Sequence, residues 1–170
     1  MNWTIRQARE DDCDQLALIG AATFLETFAG VLGGTAIVAH CRLEHTEDAY
    51  AKLIGSGARA WLALLQPGDA PVGFALTAPA DLPGMVDGDV ELKRIYALSR
   101  VHGSGVGGAL MEHAIDAARD AGANRLLLGV YAENHRAIAF YGKNGFAPVA
   151  TRKFNVGGID YDDVVLARSL

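Results

Sequence analysis

The sequence predicts one α/β domain across residues 1–170, with a mixed sheet flanked by helices. Strand-like runs joined by turn residues lie toward both ends of the chain, and the middle of the chain alternates strand and helix patterns. No internal repeat, low-complexity tract or linker divides it. At 170 residues and 51% hydrophobic composition, the chain is long enough to bury a sizeable core.

The first predicted elements are a strand and three helices. Apolar and polar residues alternate from Trp3 to Ala8, as in a half-buried strand. Asp11 or Asp12 can cap the helix that follows, because apolar residues then recur at helical spacing. Two more helices are predicted around residues 35–42 and 46–54.

The stretch between the first two helices has two interpretations. Residues 23–28 read TFLETF and lead into the apolar, glycine-rich run 29–34, which has the composition of a mobile segment able to cover a substrate. Phe24 and Phe28, spaced i,i+4, are explained equally well as a core pair on one helix face.

Residues 58–65 and 72–78 are predicted to pair as an antiparallel hairpin, because the turn signal QPGDAP separates two strand-like runs. A loop that contains Asp81, Asp87 and Asp89 follows this hairpin. Acidic loops of this kind are usually solvated surface.

The central element is a strand from Glu91 to Leu98, followed by a glycine-rich turn and by a helix that ends near Gly122. Apolar residues occupy both parities of this strand, which predicts that both of its faces are covered. Leu92, Tyr96 and Leu98 share one parity, and Ile95 and Ala97 share the other.

The C-terminal part predicts a strand, a helix and a closing hairpin. Residues 125–131 form a short buried-type strand, and residues 134–144 form a helix that Gly145 ends. Residues 149–156 and 159–167 alternate around two glycines, as the two strands of a hairpin do.

The glycine-rich turn reads GSGVGG and lies between a strand and a helix. Glycines let backbone N–H groups approach a ligand closely, and a helix N-terminus attracts anions, so the turn predicts a site for a phosphorylated cofactor. No Lys-Ser or Lys-Thr pair follows the glycines as in a P-loop, and the dinucleotide-binding G-x-G-x-x-G does not fit in register. A nucleotide hydrolase is therefore disfavoured. A tight connection without a ligand is the other interpretation.

Charge and cysteine content limit the classes of partner that the sequence predicts. The formal net charge of −5 disfavours nucleic acid and anionic membranes and favours a cationic substrate. Cys13 and Cys41 stand alone, so we expect no disulfide, no metal site and a reducing cytoplasm. The N-terminus has no apolar targeting segment.

Two ordered motifs resemble those of the GCN5-related N-acetyltransferase (GNAT) superfamily. Residues 102–107, HGSGVG, resemble the acetyl-CoA motif Q/R-x-x-G-x-G/A, with His102 in place of Gln or Arg. Residues 134–146, NHRAIAFYGKNGF, match N-x-x-A-x-x-F-Y-x-x-x-G-F.

This resemblance implies a mixed, mostly antiparallel twisted sheet of about seven strands, acetyl-CoA as co-substrate and a primary amine as acceptor. TFLETF combined with ELKRIYAL is most similar to the bacterial spermidine/spermine acetyltransferase branch. The resemblance also allows a homodimer.

The same resemblance implies the cofactor contacts. The pyrophosphate is expected against the backbone of Gly103, Ser104, Gly105, Val106, Gly107 and Gly108, with a further contact from the Ser104 hydroxyl. His102 either contacts phosphate or shapes the turn. The backbone of Tyr96, Ala97 and Leu98 is expected to bind the pantetheine arm, if a gap opens between this strand and the next.

Two further residues have a cofactor role and a structural alternative. Asn134 resembles the family residue that contacts the cofactor chain, and it is equally placed to cap the following helix. Lys143 can reach the 3′-phosphate or complement the helix dipole.

The matched F-Y position implies that Tyr141 is the catalytic acid, because a tyrosine of pKa about 10 stays protonated and can donate to the leaving thiolate. Its alternative is a core position beside Phe140. An alkylammonium must lose a proton before it attacks, and Glu91 is the candidate base, with Asp89, His135 or a water chain as alternatives.

We expect a small cationic acceptor, a polyamine first, because Asp81, Asp87, Asp89 and Glu91 precede the cofactor end of the central strand. The alternatives are an amino-acid or peptide amine, and a module that binds acetyl-CoA for sensing or assembly without turnover.

Overall fold

The computed structural model describes residues 1–170 as a seven-stranded sheet with helices on both faces. The strands are β1 (Trp3–Gln7), β2 (Arg59–Leu65), β3 (Ala70–Pro79), β4 (Val90–Ala97), β5 (Arg125–Tyr131), β6 (Ala147–Val156) and β7 (Ile159–Ser169). The helices are α1 (Cys13–Phe28), α2 (Gly34–Glu44), α3 (Glu47–Gly55), α4 (Val106–Asp120) and α5 (His135–Lys143). No helix is long and apolar enough to cross a bilayer.

The strand order is β1-β2-β3-β4-β5-β7-β6, and β4 with β5 is the one parallel pair. The predicted fold class, a mostly antiparallel mixed sheet, is confirmed. Both predicted hairpins are present, as β2 with β3 and as β6 with β7. The predicted helices around residues 35–42, 46–54 and 134–144 are also confirmed, to within two residues at each end.

Each face of the sheet has its own hydrophobic core. On one face α4 packs its buried side, which includes Leu110 and Met111, against the central strands. On the other face α1 and α3 cover a core that includes Leu16, Tyr50 and Phe74. Because both faces are covered, the central strands lack the clean apolar-polar alternation of a half-exposed sheet.

A β-bulge in β4 overturns one predicted detail. Arg94 lies opposite Leu76 but Leu92 lies opposite Thr77, so Lys93 is an extra residue without a partner. An extra residue reverses the side-chain alternation beyond it. Leu92 therefore packs in the α4 core with Ile95 and Ala97, and its predicted parity with Tyr96 and Leu98 is wrong.

The TFLETF segment is the last part of α1. The rings of Phe24 and Phe28 lie 4.6 Å apart, which confirms the core-pair interpretation. Phe24 belongs to a small core with Leu32, Ile37 and Val156. This core joins α1 and α2 to the β6–β7 hairpin, and buried Leu32 fixes the glycine-rich connection to it.

Strands β4 and β5 separate soon after they meet. They pair only at Val90 with Leu126 and at Glu91 with Leu127, although β4 continues to Ala97 and β5 to Tyr131. The predicted gap is thus present. Backbone groups on the β5 side of β4 have no strand partner past Glu91, so they are free to bind a ligand.

Candidate active site

A cavity of about 1290 Å³ opens between the separated strands. Of the residues that the sequence nominated for the site, those that line the cavity are Glu91, Tyr96, Ala97, His102, Gly103, Gly105, Gly107, Gly108, Asn134 and Tyr141. Those outside its lining are Leu98, Ser104, Val106 and Lys143. The cavity is large enough for two substrates side by side, since a single drug-sized ligand occupies roughly 300–1,000 Å³.

The glycine turn presents an anion-binding backbone. The first backbone bond at the start of α4 runs from the Ala109 N–H to the Gly105 carbonyl. The N–H groups of Gly105, Val106, Gly107 and Gly108 have no backbone partner. A Cβ on Gly108 would meet no atom within 4 Å, so there is open space beside this part of the turn. Four free amides at the N-terminus of a fifteen-residue helix suit a pyrophosphate.

Two side chains of the turn are engaged within the protein. The Nε2 of His102 lies 2.9 Å from the Ala97 carbonyl oxygen. This contact engages one of the two ring nitrogens within the protein. The Ser104 hydroxyl donates to the Val101 carbonyl at 2.7 Å. Both contacts favour a turn-shaping role for these two side chains.

The end of the central strand offers fewer free groups than the sequence predicts. The Leu98 N–H donates to the Val72 carbonyl at 2.9 Å, and the Leu98 carbonyl accepts from the Val101 N–H at 3.0 Å. These bonds leave Leu98 without a free backbone group, and the Ala97 carbonyl already contacts His102. The pantetheine prediction therefore loses Leu98 and keeps Tyr96 and the Ala97 N–H.

Asn134 and Lys143 lie at opposite ends of α5. The Asn134 side-chain oxygen accepts from the Ala137 N–H at 3.2 Å, so Asn134 caps the helix and also lines the cavity. Lys143 is exposed in the last turn of the helix, outside the cavity lining. That position complements the helix dipole.

Tyr141 is a core residue that also lines the cavity, and its role as the catalytic acid stays a prediction. Its ring packs against Phe140 and Phe146, with centroids 5.5 and 5.9 Å away, and the residue is only 8% exposed. It nevertheless lines the cavity. Burial, with a smaller effect of nearby Tyr96, raises the pKa of Tyr141 well above its ordinary value. The phenol therefore stays protonated at neutral pH.

Glu91 is buried, whereas a glutamate at the end of a strand is usually exposed. It lies between its neighbours on β3 and β5, Ala78 and Leu127. Its Oε2 accepts from the Asp81 N–H at 3.2 Å, while Oε1 has no protein partner and is not sealed from solvent. Of the candidate bases, only Glu91 lines the cavity. Asp89 is instead bound by Arg125, and His135 is 80% exposed beside Glu133.

Sequence reasoning missed the far end of the cavity, where residues from distant parts of the chain meet. The sequence signal for them is weak, since a polar residue within an alternating strand or helix reads as surface. Among those with a polar or aromatic group are Phe24, His40, Glu44, His45, Arg94, Tyr131, Arg152, Phe154, Tyr161 and Asp163.

Two ion pairs and a neutral histidine set the electrostatics there. Arg94 binds Glu44 at 2.8 Å, and Arg152 binds Asp163 at 3.1 Å. Burial, with Arg94 and His40 nearby, lowers the pKa of His45 to about 3, so this ring is neutral. Its Nδ1 lies 2.9 Å from the Tyr50 hydroxyl.

Comparison with known proteins identifies the fold and the chemistry. The profile of the Acetyltransferase (GNAT) family matches residues 35–146, which include the glycine turn and α5. The chain belongs to the GNAT acetyltransferase family. An uncharacterized N-acetyltransferase of Mycobacterium tuberculosis is 34% identical over 159 residues, which cover 94% of this chain and 98% of the relative. This GNAT chain is accordingly an acetyl-CoA-dependent N-acetyltransferase.

Solved structures agree with the GNAT fold. The PaiA N-acetyltransferase of Thermoplasma acidophilum, in complex with coenzyme A, aligns with a TM-score of 0.81 at 19% identity over 100% of both chains. The Escherichia coli ribosomal-protein-S18-alanine N-acetyltransferase aligns with a TM-score of 0.66 at 24% identity, covering 99% of this chain and 94% of that one. At these identities the likeness shows the fold and leaves the acceptor open. Membership of the polyamine branch stays a prediction.

Proposed function

We propose that this enzyme acetylates a primary amine by direct attack of the amine on acetyl-CoA while both are bound. The observation that carries the proposal is that one cavity holds the free amides of the glycine turn, the protonated phenol of Tyr141 and the open carboxylate oxygen of Glu91. The amides hold the pyrophosphate, so the thioester end of the cofactor extends along the gap between β4 and β5.

The proton steps follow from the two side chains. An alkylammonium has a pKa near that of lysine, about 10.4, so it must lose a proton before its nitrogen can attack. Glu91 takes that proton at Oε1, directly or through one water. As the new N–C bond forms and the C–S bond breaks, Tyr141 donates its proton to the departing sulfur. The nitrogen loses its second proton as the amide forms, and that proton restores the phenol of Tyr141, directly or through water.

We propose a polyamine as the first acceptor, but the acidic loop does not support this choice. Asp81, Asp87 and Asp89 lie outside the cavity lining, so the loop gives this choice no support. The net charge of −5 still favours a cation. Carboxylates that do line the cavity are Glu26, Glu44, Glu91 and Asp163.

The setting of the reaction is also part of the proposal. Two cysteines without a disulfide, together with acetyl-CoA as co-substrate, favour a reducing cytoplasm. A homodimer stays a prediction. An amino-acid or peptide amine is the second candidate acceptor. Arg94 and Arg152 line the cavity, and the carboxylate of such an acceptor would compete with Glu44 and Asp163 for these guanidinium groups.

The test is an acceptor panel with purified protein and acetyl-CoA. Free thiol release and product mass are followed with spermidine, spermine, amino acids and peptides with free N-termini. We expect release that requires a primary amine and an N-acetylated product. Tight CoA binding with no amine-dependent release for any acceptor would show a binding module instead.

A further inference from the structure

Asp163 is a buried carboxylate with one oxygen left open. It lies on β7, its side chain is only 6% exposed, and it lines the cavity. The Nε and Nη2 of Arg152 both contact its Oδ2, at 3.1 Å each. No hydrogen bond reaches Oδ1, and that atom is not sealed from solvent. The open oxygen therefore faces the cavity.

Neighbouring strands build this position. Tyr131 on β5 and Arg152 on β6 lie directly opposite Asp163, so the three side chains share one face of the sheet. A Cβ on Gly129 would lie 2.7 Å from the Arg152 Nη2, so only a glycine leaves room for the guanidinium in this place. Arg152 is thereby held against Asp163.

Two tyrosine rings lie on the same face of the sheet as Asp163. Tyr161 lies two residues before Asp163 on the same face of β7, and its ring meets that of Tyr131 edge-on at 6.0 Å. A carboxylate beside tyrosine rings is the environment that a desolvated alkylammonium prefers, because it combines a charge-assisted hydrogen bond with cation–π attraction. Burial raises the pKa of Asp163 above its ordinary value, and the charge and hydrogen bond of Arg152 reduce this rise without reversing it.

Asp163 and Glu91 lie beside different residues of β5. Glu91 pairs with Leu127 and Asp163 pairs with Tyr131, so four residues of β5 separate the two rows. At ~3.3 Å per residue this is roughly 13 Å along the strand. Two carboxylates on rows of the sheet at that separation suit an acceptor with two cationic nitrogens.

We propose that Asp163 binds a second, non-reacting ammonium of the acceptor through Oδ1, between Tyr131 and Tyr161, while Glu91 serves the nitrogen that is acetylated. The acceptor class is then a diamine or a longer polyamine. This inference rests on the proposed acetyl transfer to a primary amine and adds a specificity determinant to it.

The test compares spermidine binding to the CoA complex by calorimetry, and acetylation of spermidine and butylamine, in the wild type and in Asp163→Asn. We expect the variant to bind spermidine at least 10-fold more weakly and to show a correspondingly higher KM. Its kcat for spermidine and its kinetics with butylamine should change less than twofold. Asp162→Asn is the matched control, because it removes the same charge from the neighbouring exposed residue, which pairs with Lys153 outside the cavity lining.

A second variant guards against misfolding of the first. Tyr161→Leu removes one ring and leaves the Arg152–Asp163 pair intact, and it should also weaken spermidine binding selectively. Wild-type spermidine affinity in a folded Asp163→Asn protein overturns the proposal. An equal fall of kcat for both amines also overturns it, because Asp163 would then take part in the acetyl transfer itself. Absence of spermidine binding to the wild type overturns it too. Acetylation of some other primary amine would in that case leave the proposed function standing.

Discussion

Arg125 on β5 donates two hydrogen bonds to Asp89 in the acidic loop. The Nε–Oδ1 distance is 3.2 Å and the Nη2–Oδ2 distance is 2.5 Å. The same guanidinium donates to the Gly84 carbonyl at 3.0 Å. Burial alone would raise the pKa of Asp89, but the bonds from Arg125 and from the Val86 N–H outweigh it and hold that pKa below its ordinary value. Asp89 therefore has a structural role. It directly precedes the first residue of β4 and lies two residues before Glu91.

Replacement of Asp89 by Asn should lower stability without changing the KM for an amine. We expect a loss of about 2 kcal/mol in the free energy of unfolding at pH 7, the usual range for hydrogen bonds to a charged group. A carboxylate whose folded-state pKa is depressed stabilises the protein above its ordinary pKa, about 3.9, and loses that contribution as the pH falls. Denaturant titrations at pH 7 and pH 3 should show the difference shrinking; a difference independent of pH contradicts this account.

Gly108→Val should prevent CoA binding in a folded protein. The backbone there has no positive φ and the space beyond it is open, so the new side chain would occupy the place of the phosphates. Gly105, by contrast, has a φ of +92°, so a substitution there strains the backbone itself. Loss of even one charge-assisted contact corresponds to at least about 10-fold in affinity.

Gly55→Val is the control for this experiment, because Gly55 also has open space around it and lies outside the cavity lining. CoA affinity is measured by calorimetry and folding by thermal melting. An unchanged affinity in folded Gly108→Val would move the pyrophosphate to another site.

Tyr141→Phe should lower kcat by about 100-fold while the CoA affinity stays within a factor of two. The substitution removes only the hydroxyl and preserves the packing against Phe140 and Phe146. Steady-state kinetics with a saturating amine, together with CoA titration, separates the two effects. Wild-type turnover in this variant would assign the proton donor elsewhere.

Gly20→Ala should destabilise the protein although alanine favours helices. A Cβ at Gly20 would lie 2.3 Å from both the His45 Nδ1 and the Tyr50 hydroxyl, so this buried pair would have to move. Overpacking of this kind costs about 1–3 kcal/mol. Gly142→Ala, at an open position within α5, should instead stabilise by up to about 1 kcal/mol. Equal effects of the two changes in denaturant unfolding would contradict the packing described for His45.

Local patterns in the sequence predict most of the fold. Apolar periodicity marks every strand, and Gly122 and Gly145, both with positive φ, end helices as predicted. The bulge at Lys93 could not be predicted, because a single extra residue leaves no periodic signal and is fixed only by pairing with β3. The parity of Leu92 was wrong for that reason.

The site residues likewise fall into those that the sequence could predict and those that it could not. Motif residues such as Gly107 and Tyr141 were found because their spacing is local. The open carboxylate of Asp163 depends on Arg152 and Gly129 from two neighbouring strands, and such a pairing has no signature along the chain. Likewise the Arg125 partner of Asp89 lies 36 residues away, so the loop read as free acidic surface.

The most direct test of the account is amine-dependent release of CoA by the wild type and by Glu91→Gln, measured with the best acceptor of the panel and with the acetylated product identified by mass. The account predicts release that requires a primary amine, one N-acetylated product per thiol released, and a kcat about 100-fold lower in Glu91→Gln with CoA binding retained. Release that is independent of amine, or a Glu91→Gln protein as fast as the wild type, would contradict it.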